Sequence, residues 1–273
     1  VRPAANQAQR IVALARLMEA DGLDLLAVSD HPHDPASLES WTLLTYLASQ
    51  TGHLTFVPAV ANLGLRAPAL LARSAATLDI LTRGRIEIGL GAGGFGDDLA
   101  AMGGPVRTPE QALDAVAEAI EVMRALWSDA PSVEFDGEYY ALRGARPGPK
   151  PAHPIGIWLG AYGPRFLRMT GRLADGWLGD ATRGEPEQLP AFMRAIDEAA
   201  TAAGREPARI RRVYIVDAAM TAAQLTDLAL SEGISGFLLP VLPDAEAEAA
   251  RFATETAPAV RSAVAAARGE SAP

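Results

Sequence analysis

Short apolar runs, each followed by a longer amphipathic stretch, recur along this sequence, and few folds accept that rhythm. The runs Leu23–Val28, Leu54–Val60, Arg85–Leu90, Ile155–Leu159, Gly176–Leu178, Ile210–Val216 and Gly236–Leu239 are rich in Leu, Ile and Val without strict alternation. Strands covered on both faces read this way. Helical patterns surround them at Ala4–Ala20, Leu38–Gln50, Pro68–Leu81, Pro109–Trp127, Pro164–Leu173, Pro186–Ala203, Ala222–Ser231 and Ala245–Ala267. Several open on a proline, whose missing N–H is harmless in a first turn. Such alternation predicts parallel strands joined by right-handed crossovers, as a closed (β/α) barrel or, less simply, an open doubly wound sheet.

The 273 residues suit one barrel, a fold typically of about 250 residues and eight strands. Seven strands are legible and a helix comes first. The expectation is therefore an α/β TIM (β/α)8 barrel forming one domain over 1–273, with its first strand missing before Val1. A loop is also expected to be missing near Val216–Met220, where a strand runs almost directly into a helix start. The long connection Ser128–Pro154 interrupts the rhythm. Its Asp136–Gly137 pair between apolar residues predicts a β-hairpin within an inserted, proline-rich subdomain at 128–154.

Composition removes several chemistries. The net charge of -9 is spread along the chain, which argues against a nucleic-acid surface. Without cysteine there is no disulfide, thiolate nucleophile or cysteine metal site. Lys150 is the only lysine among 24 basic residues and lies in the proline-rich loop, which disfavours Schiff-base catalysis. No apolar run approaches the ~18 residues of a membrane span and no signal segment opens the chain, so the expected location is cytoplasmic.

In a barrel, polar residues just past a strand end are the first candidates for function. Ser29-Asp30-His31-Pro32-His33-Asp34 follows the first strand. It offers His31 as an acid–base group or, read as His-x-His, half of a metal site whose remaining ligands are hard to find. Gly89-Leu90-Gly91-Ala92-Gly93-Gly94-Phe95-Gly96 follows another strand. It is either a flexible turn or a place where a flat ligand approaches the backbone, and no helix is expected directly after it. Trp158 to Arg165 runs through glycines into a helix start at Pro164. That is either a plain tight turn or an anion site using free N–H groups and the helix dipole. Trp177, after Ala174-Asp175-Gly176, could be core or pocket wall.

These features in this order resemble the luciferase-like monooxygenase family. The segments that carry the resemblance are Glu19-Ala20-Asp21-Gly22-Leu23-Asp24, Ser29-Asp30-His31, Arg66-Ala67-Pro68-Ala69, Leu78 to Arg85, Gly89 to Gly93, Gly163-Pro164-Arg165 and Leu173 to Trp177. The resemblance implies a barrel enzyme using reduced FMN for monooxygenation or coenzyme F420 for hydride transfer on a small organic substrate. It implies catalytic roles for His31 and Asp30. It also implies a ring lined by Ala59 and Val60, where relatives often carry a cis non-prolyl bulge, and by Ala92 and Gly93. The cofactor phosphate would meet Gly160, Ala161, Tyr162 and Gly163, with Arg165 adding charge. Deazaflavin enzymes of the family often carry an acid where this chain has Gly94. No metal is expected, the partner is a small-molecule substrate, and a homodimer is expected. The competing readings are a flavin-binding barrel without turnover and a metal-dependent barrel hydrolase.

Overall fold

A computed structural model of the chain describes residues 1–94, 96–240 and 246–270. Seven short parallel strands form the barrel wall: β1 (Leu25–Val28), β2 (Thr55–Pro58), β4 (Ile88–Gly91), β7 (Ile157–Leu159), β8 (Gly176–Asp180), β9 (Arg211–Ile215) and β10 (Gly236–Leu238). A two-residue strand, β3 (Ala61–Asn62), extends the second of these and pairs with β4. Hydrogen-bonded neighbours run β10-β9-β8-β7-β4-β3 in one ladder and β1-β2 in another. The two ladders meet where Phe56 bridges Ile86 in parallel fashion. All wall pairings are parallel, with crossovers through helices, as the sequence rhythm predicts. Among the described residues β10 and β1 share no ladder, although the two strands lie side by side.

The helices are α1 (Ala8–Ala20), α2 (Ser40–Ser49), α3 (Pro68–Thr82), α4 (Gly96–Ala101), α5 (Pro109–Leu126), α6 (Pro164–Leu173), α7 (Leu189–Ala202), α8 (Ala222–Ser231), α9 (Glu246–Arg251) and α10 (Ala257–Arg268). Three differences from the sequence reading have physical reasons. The strand expected over Leu54–Val60 ends at Pro58, because the Ala59–Val60 peptide is cis and turns the chain before β3. The last helix is interrupted by a π-turn at Phe252–Thr256 just before Pro258, whose ring and missing N–H disturb the regular ladder; its expected first residue, Ala245, lies outside the described residues. A short helix, α4, does open after the glycine-rich segment, where none was expected, and Phe95 of that segment also lies outside the described residues.

The expected hairpin is present as β5 (Val133–Asp136) antiparallel to β6 (Ala141–Ala145). Its turn is wider than the Asp-Gly pair suggests. Glu118 on α5 holds it open by accepting the N–H groups of Glu138, Tyr139 and Tyr140 at 2.7–3.0 Å. The connection after β9 is short, as expected, with Thr221 capping α8 by a reciprocal bond pattern with Gln224.

Two layers of apolar packing hold the wall. Inside the barrel, Ala27, Val57, Trp158, Leu178, Val213 and Leu238 form one buried cluster. Outside it, Ile88, Leu90, Ile157, Leu159, Trp177 and Tyr214 face the helices in a larger one. Trp177 is thus core, stacked on Tyr214 at 6.0 Å, with its indole N–H donated to the Ala161 carbonyl at 2.8 Å. At the end of the wall opposite the strand C-termini, Arg85 gathers carbonyl groups that no helix can satisfy. It donates to Ala48 and Leu54 at 2.8 Å and to Thr51 and Thr82 at 3.1 Å. Three of those carbonyls sit at the C-terminal ends of α2 and α3, where a cation is favoured. No helix among the described residues is long and apolar enough to cross a membrane. Replacing Arg85 by Met should strand these carbonyls and lower unfolding stability by about 2 kcal/mol or more, since bonds to a charged donor are worth roughly 1.5–3 kcal/mol each; urea denaturation followed by circular dichroism measures it.

Candidate active site

The segments that leave the C-terminal ends of β1, β2, β4, β7, β8, β9 and β10 surround a cavity of about 1630 Å³. The cavity has two parts. Its upper part, at the strand ends, is lined by Asp30, His31, Ala59, Val60, Gly93 and Tyr162, among others. Its lower part continues along the seam between β10 and β1, past Met18, Leu25, Val260 and Val264. The lower part is lined mainly by apolar side chains, with Asp24, Arg261 and Arg268 among them, and the residues singled out in the sequence stand at the top.

Val60 builds the floor. A Cβ added at Gly91 would lie 2.5 Å from a Val60 methyl, and one at Gly89 or Gly160 would lie 3.3 or 3.2 Å from the other. Gly91, and Gly160 just past β7, therefore make room for Val60, while Gly89 makes room first for the Pro58 carbonyl, which a Cβ there would meet at 2.2 Å. Gly93, Gly94 and Gly163 differ: a Cβ at each meets nothing within 4 Å. Gly93 also has φ +90°, a conformation that favours glycine. At Gly163 the chain enters α6 with Pro164 at the first helical position. Among the described residues the N–H groups of Tyr162, Gly163 and Arg165 donate to no backbone acceptor. Open space, free donors and a helix dipole make this end of the cavity suitable for an anionic group.

His31 stands half-buried on the opposite wall, its ring edge-on to His33 at 5.7 Å. Burial, then the neighbouring His33, pull its pKa below the ordinary value of 6.5, and the Asp30 carboxylate only partly opposes them. At neutral pH it is an uncharged imidazole able to accept a proton. Asp30, beside it, is held by protein groups. Its Oδ2 accepts from the Arg66 Nε at 2.9 Å and the Asn62 N–H at 3.0 Å, and its Oδ1 accepts from the Arg66 Nη2 at 2.9 Å. It is a buried, saturated carboxylate. Arg66 also pairs with Glu39, whose side chain caps α2 through the N–H groups of Trp41 and Thr42. Burial alone would raise the Glu39 carboxyl, but Thr42 and Arg66 outweigh it and hold it at about 2.

Of the residues singled out in the sequence, Asp30, His31, Ala59, Val60, Ala92, Gly93, Gly160, Tyr162 and Gly163 all line this one cavity. Ala161 and Arg165 do not. Ala161 is wholly buried on the helix side of the wall, because successive residues leaving a strand point to opposite faces. Arg165 turns outward to pair with Asp114 on α5. A cation near the anion end is instead Arg183, three residues past the end of β8 at Asp180, lying over the Tyr162 ring at 4.6 Å. Its place just past a strand end was the available signal. Burial and then the Asp180 carboxylate push the Tyr162 phenol up, so its hydroxyl stays protonated. His53 and His153 lie away from His31 and His33, and among the described residues no three His, Asp or Glu side chains are grouped to hold a metal ion.

Comparison with known proteins follows the geometry. The luciferase-like monooxygenase profile matches residues 1–270. The chain is 34% identical over 216 residues to the F420-dependent glucose-6-phosphate dehydrogenase of Mycolicibacterium fortuitum, covering 75% of this chain and 63% of that protein. It is 33% identical over 208 residues to the Mycobacterium tuberculosis H37Rv protein of the same name, covering 72% and 60%. It thus spans less than two thirds of the length of these relatives. Among solved structures, an F420-dependent secondary alcohol dehydrogenase in complex with an F420-acetone adduct superposes with a TM-score of 0.82 at 20% identity, over 95% of this chain and 97% of that one. The F420-dependent tetrahydromethanopterin reductase of Methanopyrus kandleri gives 0.78 at 20% identity, over 94% and 97%. These structural likenesses establish the luciferase-like TIM-barrel fold.

The floor can be tested without any ligand. Gly91→Ala forces a Cβ against Val60 and should cost about 1–3 kcal/mol, as overpacked sites do, whereas Gly94→Ala, facing open space, should leave the thermal midpoint within a degree or two of wild type (about 0.5 kcal/mol or less).

Proposed function

We propose that this chain, which belongs to the luciferase-like monooxygenase family, is an oxidoreductase that binds coenzyme F420 across the barrel mouth and transfers a hydride between it and a small organic alcohol or carbonyl compound. The observation that carries this reading is the neutral His31 on the wall of a cavity whose far side is open glycine backbone with free N–H donors. The names of the curated relatives, each an F420-dependent dehydrogenase, support the choice of coenzyme.

The residues present fit a planar, phosphorylated coenzyme. Val60 and the strand-end glycines provide a flat apolar floor. The turn at Tyr162 and Gly163, with Arg183 nearby, provides donors and positive charge for the phosphate. Ala59, Ala92 and Gly93 would flank the ring system. When bound, F420 supplies two-electron hydride chemistry, which no side chain of this protein can. His31 takes the proton from the substrate hydroxyl in the oxidative direction and returns it in the other, as a general base and acid. Arg66 and Asp30 hold the loop that carries it.

A fluorescence titration of the purified protein with F420 and FMN in parallel tests the reading: saturable F420 binding at least tenfold tighter than FMN is expected. Tighter FMN binding would favour the monooxygenase chemistry that the family name describes, and binding of F420 without turnover of any alcohol would favour a carrier. Gly163→Val places a branched side chain in the open space at the anion end, and should weaken F420 binding at least tenfold while circular dichroism shows a folded protein (roughly 1.4 kcal/mol per tenfold).

The pH dependence has a definite sign. His31 acts as base only when uncharged, and its pKa lies below 6.5. In the oxidative direction kcat/KM should be level near neutrality and fall as pH drops below 6.5 through that lowered value. His31→Ala should abolish this limb and slow turnover about 10²–10⁴-fold, with F420 affinity little changed.

A further inference from the structure

We propose that Arg66 is a positioning residue for His31: by gripping both oxygens of Asp30 it fixes the chain at the end of β1 and cancels the one buried negative charge beside the imidazole. The proposal rests on the reading of His31 as the proton acceptor.

The geometry is that of a fixed counter-ion. Asp30 is 6% exposed, and each of its oxygens is engaged by Arg66, with the Asn62 N–H completing the set. The two-pronged contact is one that guanidinium makes and ammonium cannot. It ties the residue before His31 to β3, and through Glu39 and Ser40 to the start of α2. Burial works against the charged guanidinium, but Asp30 and then Glu39 outweigh it and raise the Arg66 pKa. Arg66 is therefore a permanent cation.

Among the described residues, the charged or titratable groups that act on His31 include Asp30, His33, Asp34 and Arg2. His33 and Arg2 disfavour the imidazolium, while Asp30 and Asp34 favour it. Asp34 is exposed and spends its carboxylate on the Ser37 hydroxyl at 2.7 Å and the Ala36 N–H at 3.0 Å. Asp30 is the buried one, and Arg66 is clamped on both of its oxygens while also pairing with the more exposed Glu39. Burial and then His33 keep His31 a base, and Asp30 partly opposes them. Without Arg66, Asp30 would face His31 as an uncompensated anion and oppose them more strongly, so Arg66 limits how far the buried carboxylate raises the imidazole.

The experiment is a ring-proton NMR titration of the four histidines in the protein without coenzyme, with His31 assigned from the His31→Gln spectrum. Arg66→Gln is expected to raise the His31 pKa by about one unit, the size of effect that a nearby opposite charge exerts. Arg66→Lys, which keeps the charge, should restore the wild-type value, and Asp30→Asn/Arg66→Gln should bring it back to wild type or below. Asp30→Asn alone should lower it. A folded Arg66→Gln protein with an unmoved His31 titration overturns the proposal, as does a double variant that raises it as much as Arg66→Gln does. If Arg66→Gln does not fold, Asp30→Asn decides, and an unchanged His31 there overturns the proposal equally. Neither coenzyme nor substrate enters this measurement. A failure here leaves the F420 titrations to judge the enzyme reading, and a failure of those leaves the charge relation between Arg66 and His31 intact.

Discussion

Val60 sits with its two methyl groups against the backbones of β4 and β7, and that contact sets how the upper end of the barrel is shaped. The wall comes this close because Gly89, Gly91 and Gly160 present no side chain to it. The cis peptide before Val60 turns the chain inward, and β3 then continues alongside β4. The floor of the cavity is therefore backbone and methyl groups, apolar and flat. The polar groups of the upper cavity stand at the rim: His31 on one side, the Tyr162–Gly163 turn and Arg183 on the other. A side chain at Gly91 would collide with Val60, one at Gly160 would crowd it, and one at Gly89 would strike the Pro58 carbonyl.

The rim has its own constraint, in the ion pair of Asp30 with Arg66. A buried carboxylate is costly to desolvate and is tolerated here because each of its oxygens has a donor and a guanidinium faces both. Its value is geometric as well as electrostatic. It joins the ends of β1 and β2 where the inserted helix α2 begins, so the residue next to His31 cannot drift. The same three-residue run, Ser29-Asp30-His31, thus contains a group that must stay charged and a group that must stay neutral, and Arg66 lets both hold.

Much of this was legible in the sequence because burial on both faces leaves a simple signature. The seven wall strands, the hairpin at 128–154 and the helix starts at Pro68, Pro109 and Pro164 fall where apolar runs, Asp-Gly and N-terminal prolines place them. What sequence could not resolve was direction. Ala161 and Tyr162 are neighbours, yet one faces the helices and the other the cavity, and only the register of β7 decides which. Arg165 looked like a phosphate ligand because it follows Gly163, but helical geometry turns it towards Asp114. Arg66 was visible only as part of the family resemblance. Its partner is 36 residues earlier, and no local pattern announces a contact of that range.

Helix α2 connects the two ends of the barrel in a way its sequence does not advertise. Its stretch from Ser40 to Ser49 contains no charged residue, and ten helical residues span about 15 Å. At its start, Arg66 holds the capping Glu39 and reaches Ser40. Just past its far end, Arg85 holds the carbonyls of Ala48 and Thr51. The helix is a tie-rod gripped by an arginine at each end, one belonging to the rim where chemistry would occur and the other to the opposite face of the wall. Between the grips the helix is held by the apolar packing of Leu43, Leu44 and Leu47, so a single uncharged helix carries a cation contact at the mouth of the barrel and another at its foundation.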